Sequence, residues 1–167
     1  MRRTMCHRGS VTESENTLMD VRIVELQPLR VASILGYGVE PELLAWNKLF
    51  EWASARHLFD QPHRLFGFNN PSPSVGTPQY GYEVWITVDE SVQPDGTAEI
   101  KQFGGGKYAV TRVVGVDNIA PTWQEFVKWR EASGFQNAAH QWLEEHIRVG
   151  AEVAPAEMVL DLYMPIR

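Results

Sequence analysis

The chain has 167 residues, 44% of them hydrophobic and 11% aromatic, with a formal charge of −6. That length and apolar content fit one globular domain, or two fused halves around one core, and exclude a disordered chain. A negative balance repels phosphate and so excludes direct nucleic-acid binding as the default, while a lone cysteine, Cys6, excludes a disulfide framework or a cysteine metal site.

Residues 1–19 carry arginines and glutamates with almost no apolar content and read as a disordered leader. No apolar stretch follows Arg2 and Arg3, so no secretory signal is read, and no run approaches the roughly 20 apolar residues of a membrane span. A cytoplasmic location is expected. Residues 20–167 read as one domain.

"VRIVEL" and "RVASIL" are short β-branched runs separated by Gln27-Pro28-Leu29, and predict two strands. A helix opens at Pro41, where the missing N–H costs nothing, and Leu43, Trp46, Leu49, Phe50 and Ala53 form its apolar stripe. A second helix is predicted from about Pro121 to Ser133-Gly134, with Trp123, Phe126 and Val127 on the equivalent face. The tryptophans of both helices read as packing residues. "FGGGK" (103–107) joins two strands with no helix directly after the lysine, so a hairpin turn is read rather than a phosphate loop.

Trp46 and Trp123 stand 77 positions apart, as do Trp52 and Trp129. The same offset aligns Ile23 with Ile100, Ala32 with Ala109 and Gly38 with Gly115; "YEVWITV" (82–88) then lies over "LDLYMPI" (160–166). Two repeats, about 20–90 and 97–167, are therefore expected, related by a pseudo-twofold axis. In the closing strands, alternation directs Val84, Ile86 and Val88, and likewise Leu160, Leu162 and Met164, towards the helices. Trp85 and Tyr163 then occupy matched places on the opposite face.

"GGGKYAVTRVVG" (104–115), the two-tryptophan helix ending in "SGF", "LDLYMPI" and "FGFNNPS" (66–72) together resemble the GyrI-like effector-binding domains. The resemblance covers about 21–167. It implies an α+β fold: two pseudo-twofold related βαββ repeats, an antiparallel curved sheet, two helices packed on one side and a ligand pocket on the other. In that family the domain is often the drug-sensing half of AraC- or MerR-type regulators. It also occurs alone, in gyrase-inhibitory proteins, in binders of cationic amphipathic compounds and in hydrolases of cyclopropane-bearing toxins. Some 20 residues before the domain leave no room for a helix-turn-helix, so the sequence resembles a stand-alone member.

The family's hallmark is a buried glutamate in a Gly-aromatic, spacer, Glu-x-Tyr pattern. "SGFQNAAHQWLEEHI" places Glu144 there, nine positions after Phe135, with His146 where the pattern has tyrosine. Glu145 is the competing candidate; Glu144 is preferred because it shares a face with Trp142 and His146. A carboxylate enclosed by rings selects cations, and the expected walls are Trp85, Tyr163 and Trp142, with Phe68 and Tyr37 as rims. The leading expectation is thus a binder of cationic, amphipathic or aromatic small molecules. One alternative is a hydrolase in which Glu144 activates water and Tyr163 or His146 orients it. Another is a gyrase-inhibitor-like protein-interaction module. No cofactor and no metal are expected: His140 and His146 lie about 20 Å apart in an extended chain, and His57, His63 and His140 read as surface or helix-end residues.

Overall fold

The computed structural model describes residues 18–167, so all but the last two residues of the expected leader lie outside the described residues. The chain runs β1 (Arg22–Leu26), β2 (Leu29–Gly38), α1 (Pro41–Ser54), β3 (Leu65–Asn69) and β4 (Tyr80–Thr87). It then repeats that order as β5 (Glu99–Phe103), β6 (Gly106–Val114), α2 (Ile119–Ser133), β7 (Leu143–Arg148) and β8 (Val159–Pro165). All eight strands join one antiparallel sheet in the order β1-β6-β8-β7-β3-β4-β2-β5. Exchanging β1–β4 with β5–β8 reproduces that order read from the other end, as a pseudo-twofold α+β fold requires.

The first strand of each half leaves its own half-sheet and joins the other. Leu26 pairs with Gly106, and three residues later Leu29 pairs with Phe103, so the ladder resumes in register beyond the break. β1 and β2 therefore act as one long bent strand lying antiparallel to a second, β5 and β6, and each half reduces to βαββ. The "FGGGK" run is accordingly a bend in a continuing strand, which corrects the hairpin reading. Two local features produce the bend. Pro28 has no N–H to give the ladder, and Gly105, facing Gln27 across the break, takes φ 72°. A β-carbon on Gly105 would stand 2.0 Å from the Leu26 carbonyl oxygen, so the crossing requires glycine.

Each helix covers its own half. α1 begins at Pro41 as expected, but the face it buries holds Ala45, Leu49, Trp52 and Ala53, while Leu43 is 61% exposed. The stripe is rotated by about one position because Trp52 docks its ring under the helix and donates from Nε1 to Asp95 at 2.8 Å. Below it lie Ala32, Ile34, Val84 and Ile86. α2 sets Phe126 fully into the sheet, with Trp123, Val127 and Trp129 half-buried over Ala109, Leu160, Leu162 and Met164. The closing strands thus direct their aliphatic residues to the helices, as their alternation predicts.

The opposite face curls on itself and is closed. Trp85 and Tyr163 pack there with Phe66, Phe68, Tyr108, Val110 and Leu143. Tyr163 lies edge-on to Tyr108 at 5.4 Å and Phe68 edge-on to Trp85 at 4.8 Å. Two buried carboxylates flank this cluster at matched places. Glu83 accepts from Ser33, Trp85, Asn70 and Lys101, and Asp161 accepts from both Arg112 and Arg22. Burial pushes both carboxyls up, yet the donors outweigh it and hold both below the usual carboxylate range.

A Gly105→Ala variant should lose about 2–4 kcal/mol, combining an unfavourable φ with a backbone collision. Urea unfolding of the full chain measures it; a loss below about 0.5 kcal/mol would mean that the crossing tolerates a side chain.

Candidate functional site

Alternation along β7 sends Leu143 and Glu145 to the closed inner face and Glu144 and His146 to the helix side. The single chamber expected around Glu144, Trp85, Tyr163 and Trp142 does not form, because the sheet itself stands between Glu144 and the Trp85–Tyr163 cluster. Trp85 and Tyr163 are 5% and 4% exposed and line no cleft with Glu144.

The cleft that does hold Glu144 arises where the two halves meet. β3 and β7 pair through only two positions, Phe66 with Glu145 and Gly67 with Glu144. Past these pairs lies an opening of about 430 Å³. Phe68, Asn69 and Ser72 border it from the first half; Trp123, Val127, Gln141, Trp142, Leu143 and Glu144 border it from the second. Trp123 and Trp142 pack against each other with ring centres 5.5 Å apart, forming one aromatic wall.

Glu144 is held by two neutral donors. Oε1 accepts the Trp123 indole N–H at 3.0 Å, and Oε2 accepts the Tyr82 hydroxyl at 2.8 Å. Among the described residues no lysine, arginine or histidine makes an ion pair with it. Burial raises its carboxyl above the ordinary glutamate range; the two hydrogen bonds offset part of the rise, and Glu42 nearby adds to it. Burial likewise pushes the Tyr82 phenol well up, with the adjoining Glu144 charge adding to the shift, so Tyr82 remains a donor.

Gly67 makes this arrangement possible. It corresponds to Glu144 by the 77-residue offset and is also its partner across the ladder. A β-carbon at Gly67 would lie 2.3 Å from the Tyr82 hydroxyl oxygen. The missing side chain is the space through which Tyr82 reaches the carboxylate.

Glu145 has a different setting. Arg64 grips it with Nε at 2.7 Å and a terminal nitrogen at 2.9 Å, and Tyr163 donates to it at 2.6 Å. Of the two neighbouring acids, Glu144 lines the cleft and Glu145 is neutralised on the inner face. Trp142 and Phe68 lie in the cleft with Glu144. His146 lies farther along β7, edge-on to Trp46 at 4.4 Å, and Tyr37 is 53% exposed near the end of β2, outside the cleft lining. Among the described residues, no group of three or more His, Cys, Asp or Glu side chains is placed to hold a metal ion.

Two residues of the site escape a reading of the sequence. Trp123 has a twin in Trp46, and nothing local shows that only one of them meets an acid. Tyr82 does carry a signal: it continues the helix-facing alternation of Val84, Ile86 and Val88, and a hydroxyl on an otherwise aliphatic face needs a partner.

Replacing Tyr82 by Phe should raise the Glu144 carboxyl further, since a hydrogen bond to the charged form is lost. Gly67→Ala should do the same by displacing the phenol. Carbon-detected NMR titration of the Glu144 side chain reads both; an unchanged midpoint in the two variants would show that Tyr82 does not hold the carboxylate.

A sequence model described as the GyrI-like small molecule binding domain matches residues 19–167. Three solved structures share the fold. The C-terminal domain of EcmrR is 13% identical with a TM-score of 0.67, over 90% of this chain and 99% of that one. A hydrolase from Listeria innocua is 11% identical with a TM-score of 0.64, over 89% and 92%. SAV2435 bound to tetraphenylphosphonium is 12% identical with a TM-score of 0.59, over 89% and 94%. Such identities speak for the fold alone, whereas the family match spans nearly the whole chain: the protein belongs to the GyrI-like small-molecule-binding domains.

Proposed function

We propose that the cleft at Glu144 binds lipophilic aromatic cations, so that the protein senses or sequesters compounds of that class. The observation that supports this is the lone state of Glu144. Glu83, Glu145 and Asp161 are each paired with a lysine or arginine, whereas among the described residues Glu144 has only a phenol and an indole. A buried anion without a counter-charge is costly, and a cationic guest removes that cost while a neutral one does not. Trp123, Trp142 and Phe68 add cation–π attraction of about 0.5–2 kcal/mol per well-placed ring. Flat walls with few directional donors favour breadth over precision. SAV2435, which shares the fold, was solved with tetraphenylphosphonium, a ligand of this chemistry. Trp85 contributes from behind, as the surface on which Phe68 rests.

A hydrolase reading has one geometric support. A carboxyl raised by burial, with a fixed phenol 2.8 Å away, is suited to proton transfer. Tyr163 cannot serve as its partner, since that hydroxyl is committed to Glu145 on the other face; Tyr82 would fill the role. Incubation with strained-ring electrophiles separates the two readings: many products per protein molecule would establish turnover, and at most one leaves binding alone.

Tetraphenylphosphonium should quench tryptophan fluorescence, and Glu144→Gln should weaken its binding about tenfold, or roughly 1.4 kcal/mol. Undiminished binding by the variant would remove the basis of the proposal. The affinity of the unaltered protein should fall as pH drops through the raised Glu144 pKa, because the neutral acid no longer attracts the cation. The stability should move oppositely. With its folded-state pKa raised, Glu144 contributes stability that is present at low pH and lost as pH rises through that value. Glu144→Gln should therefore melt higher than the unaltered protein at pH 8 and alongside it at pH 3.

A further inference from the structure

The phenol that holds Glu144 has a neighbour in the same role. Tyr80 lies two residues before Tyr82 on β4, on the same helix-side face and about 7 Å away at the backbone. Its hydroxyl donates to Glu42, in the first turn of α1, and stands 2.7 and 2.9 Å from the two carboxylate oxygens. One strand thus presents two phenols in a row, the first holding Glu42 and the second Glu144. Among the described residues neither acid makes an ion pair, and nor does Glu40 beside them. By the 77-residue offset Glu42 and Glu144 correspond to Ile119 and Gly67, so the doubled fold itself requires an acid at neither place.

The two carboxylates face a common space. Trp46, one turn after Glu42 and on the same face of α1, packs edge-on against His146, which follows Glu144 on the helix side of β7. The side of α1 that bears Glu42 is therefore turned towards the strand that bears Glu144. Between them lies Asn69, an exposed residue that borders the Glu144 cleft. It is the ladder partner of Tyr82 and one diagonal step from Tyr80. A molecule seated in the cleft reaches Glu42 by extending past Asn69. The Glu42 charge also helps to raise both the Glu144 carboxyl and the Tyr82 phenol, as a second anion close by must.

We propose that Glu42 is a second anionic subsite of the Glu144 cleft, which makes aromatic dications, with a charge at each end of one flat ring system, the preferred ligands. The proposal rests on Glu144 being the cation site. One charge would meet Glu144 beside Trp123 and Trp142, the ring would pass over Asn69, and the second charge would meet Glu42. A singly charged guest leaves Glu42 without a counter-charge. Glu42 is half-buried, so its attraction is weaker than that of Glu144 and more readily screened by salt.

The test uses the full chain at low ionic strength with benzyltrimethylammonium and para-xylylene bis(trimethylammonium), which adds a second charge to the same ring. Calorimetry and tryptophan fluorescence give both affinities. The dication should bind about tenfold more tightly, and in Glu42→Gln the ratio should fall to about two, the advantage left because either end can face Glu144. In Glu42→Lys the ratio should fall below one, the added cation now repelling the far charge. Both changes lie in the half-exposed first turn of α1, and near-ultraviolet dichroism checks that the variants fold. A dication that fails to bind saturably, binds no better than the monocation, or keeps its full advantage in Glu42→Gln would overturn the proposal and leave the single-cation reading of Glu144 standing. Binding of both ions that ignores Glu144→Gln would overturn the two together.

Discussion

A carboxylate held by an indole and a phenol, with no cation beside it among the described residues, is the constraint around which this fold is arranged. Glu144 can occupy its place only because the two halves of the sheet meet through a ladder two pairs long, and because its ladder partner is a glycine. A longer ladder would close the cleft. A side chain at Gly67 would evict Tyr82 and leave the acid with one donor. The other buried acids show what the protein does with a carboxylate it uses for structure: Glu83, Glu145 and Asp161 each receive a basic partner and several hydrogen bonds. Leaving one acid unpaired costs stability, which sets Glu144 apart from the other three.

The two long bent strands explain why the inner face is packed and not hollow. Because β1 joins the second half-sheet and β5 the first, the halves are tied across their outer edges as well as at β3–β7. The sheet curls, and its concave side fills with Phe66, Phe68, Trp85, Tyr108 and Tyr163. Large aromatics at matched positions away from the helices are therefore the packing of a closed core. Through Phe68, which touches Trp85 and borders the cleft, that core gives the site a rigid backing.

Much of the architecture was legible from residue order. The 77-residue offset of the tryptophans exposed two equivalent halves, Pro41 marked the start of α1, and strict alternation assigned the faces of β4 and β8. These features are local, with periods of two or 3.6 residues that a side-chain pattern reports directly. The placement of Glu144 on the face of Trp142 and His146 followed from the same alternation.

What residue order left open were relations between segments far apart in the chain. Whether "FGGGK" reverses the chain or bends it depends on what lies opposite, and that is Gln27-Pro28, nearly 80 residues away. Which acid of the Glu144–Glu145 pair stays unpaired depends on Arg64 and Tyr163 reaching one face, and on Trp123 and Tyr82 reaching the other. The sequence alone determined the doubled fold, its helices and the alternating faces of its closing strands, because those rest on short-range periodicity. Only the tertiary structure decided which side of the sheet is hollow and which carboxylate waits there, because a charge's surroundings are assembled from several strands at once.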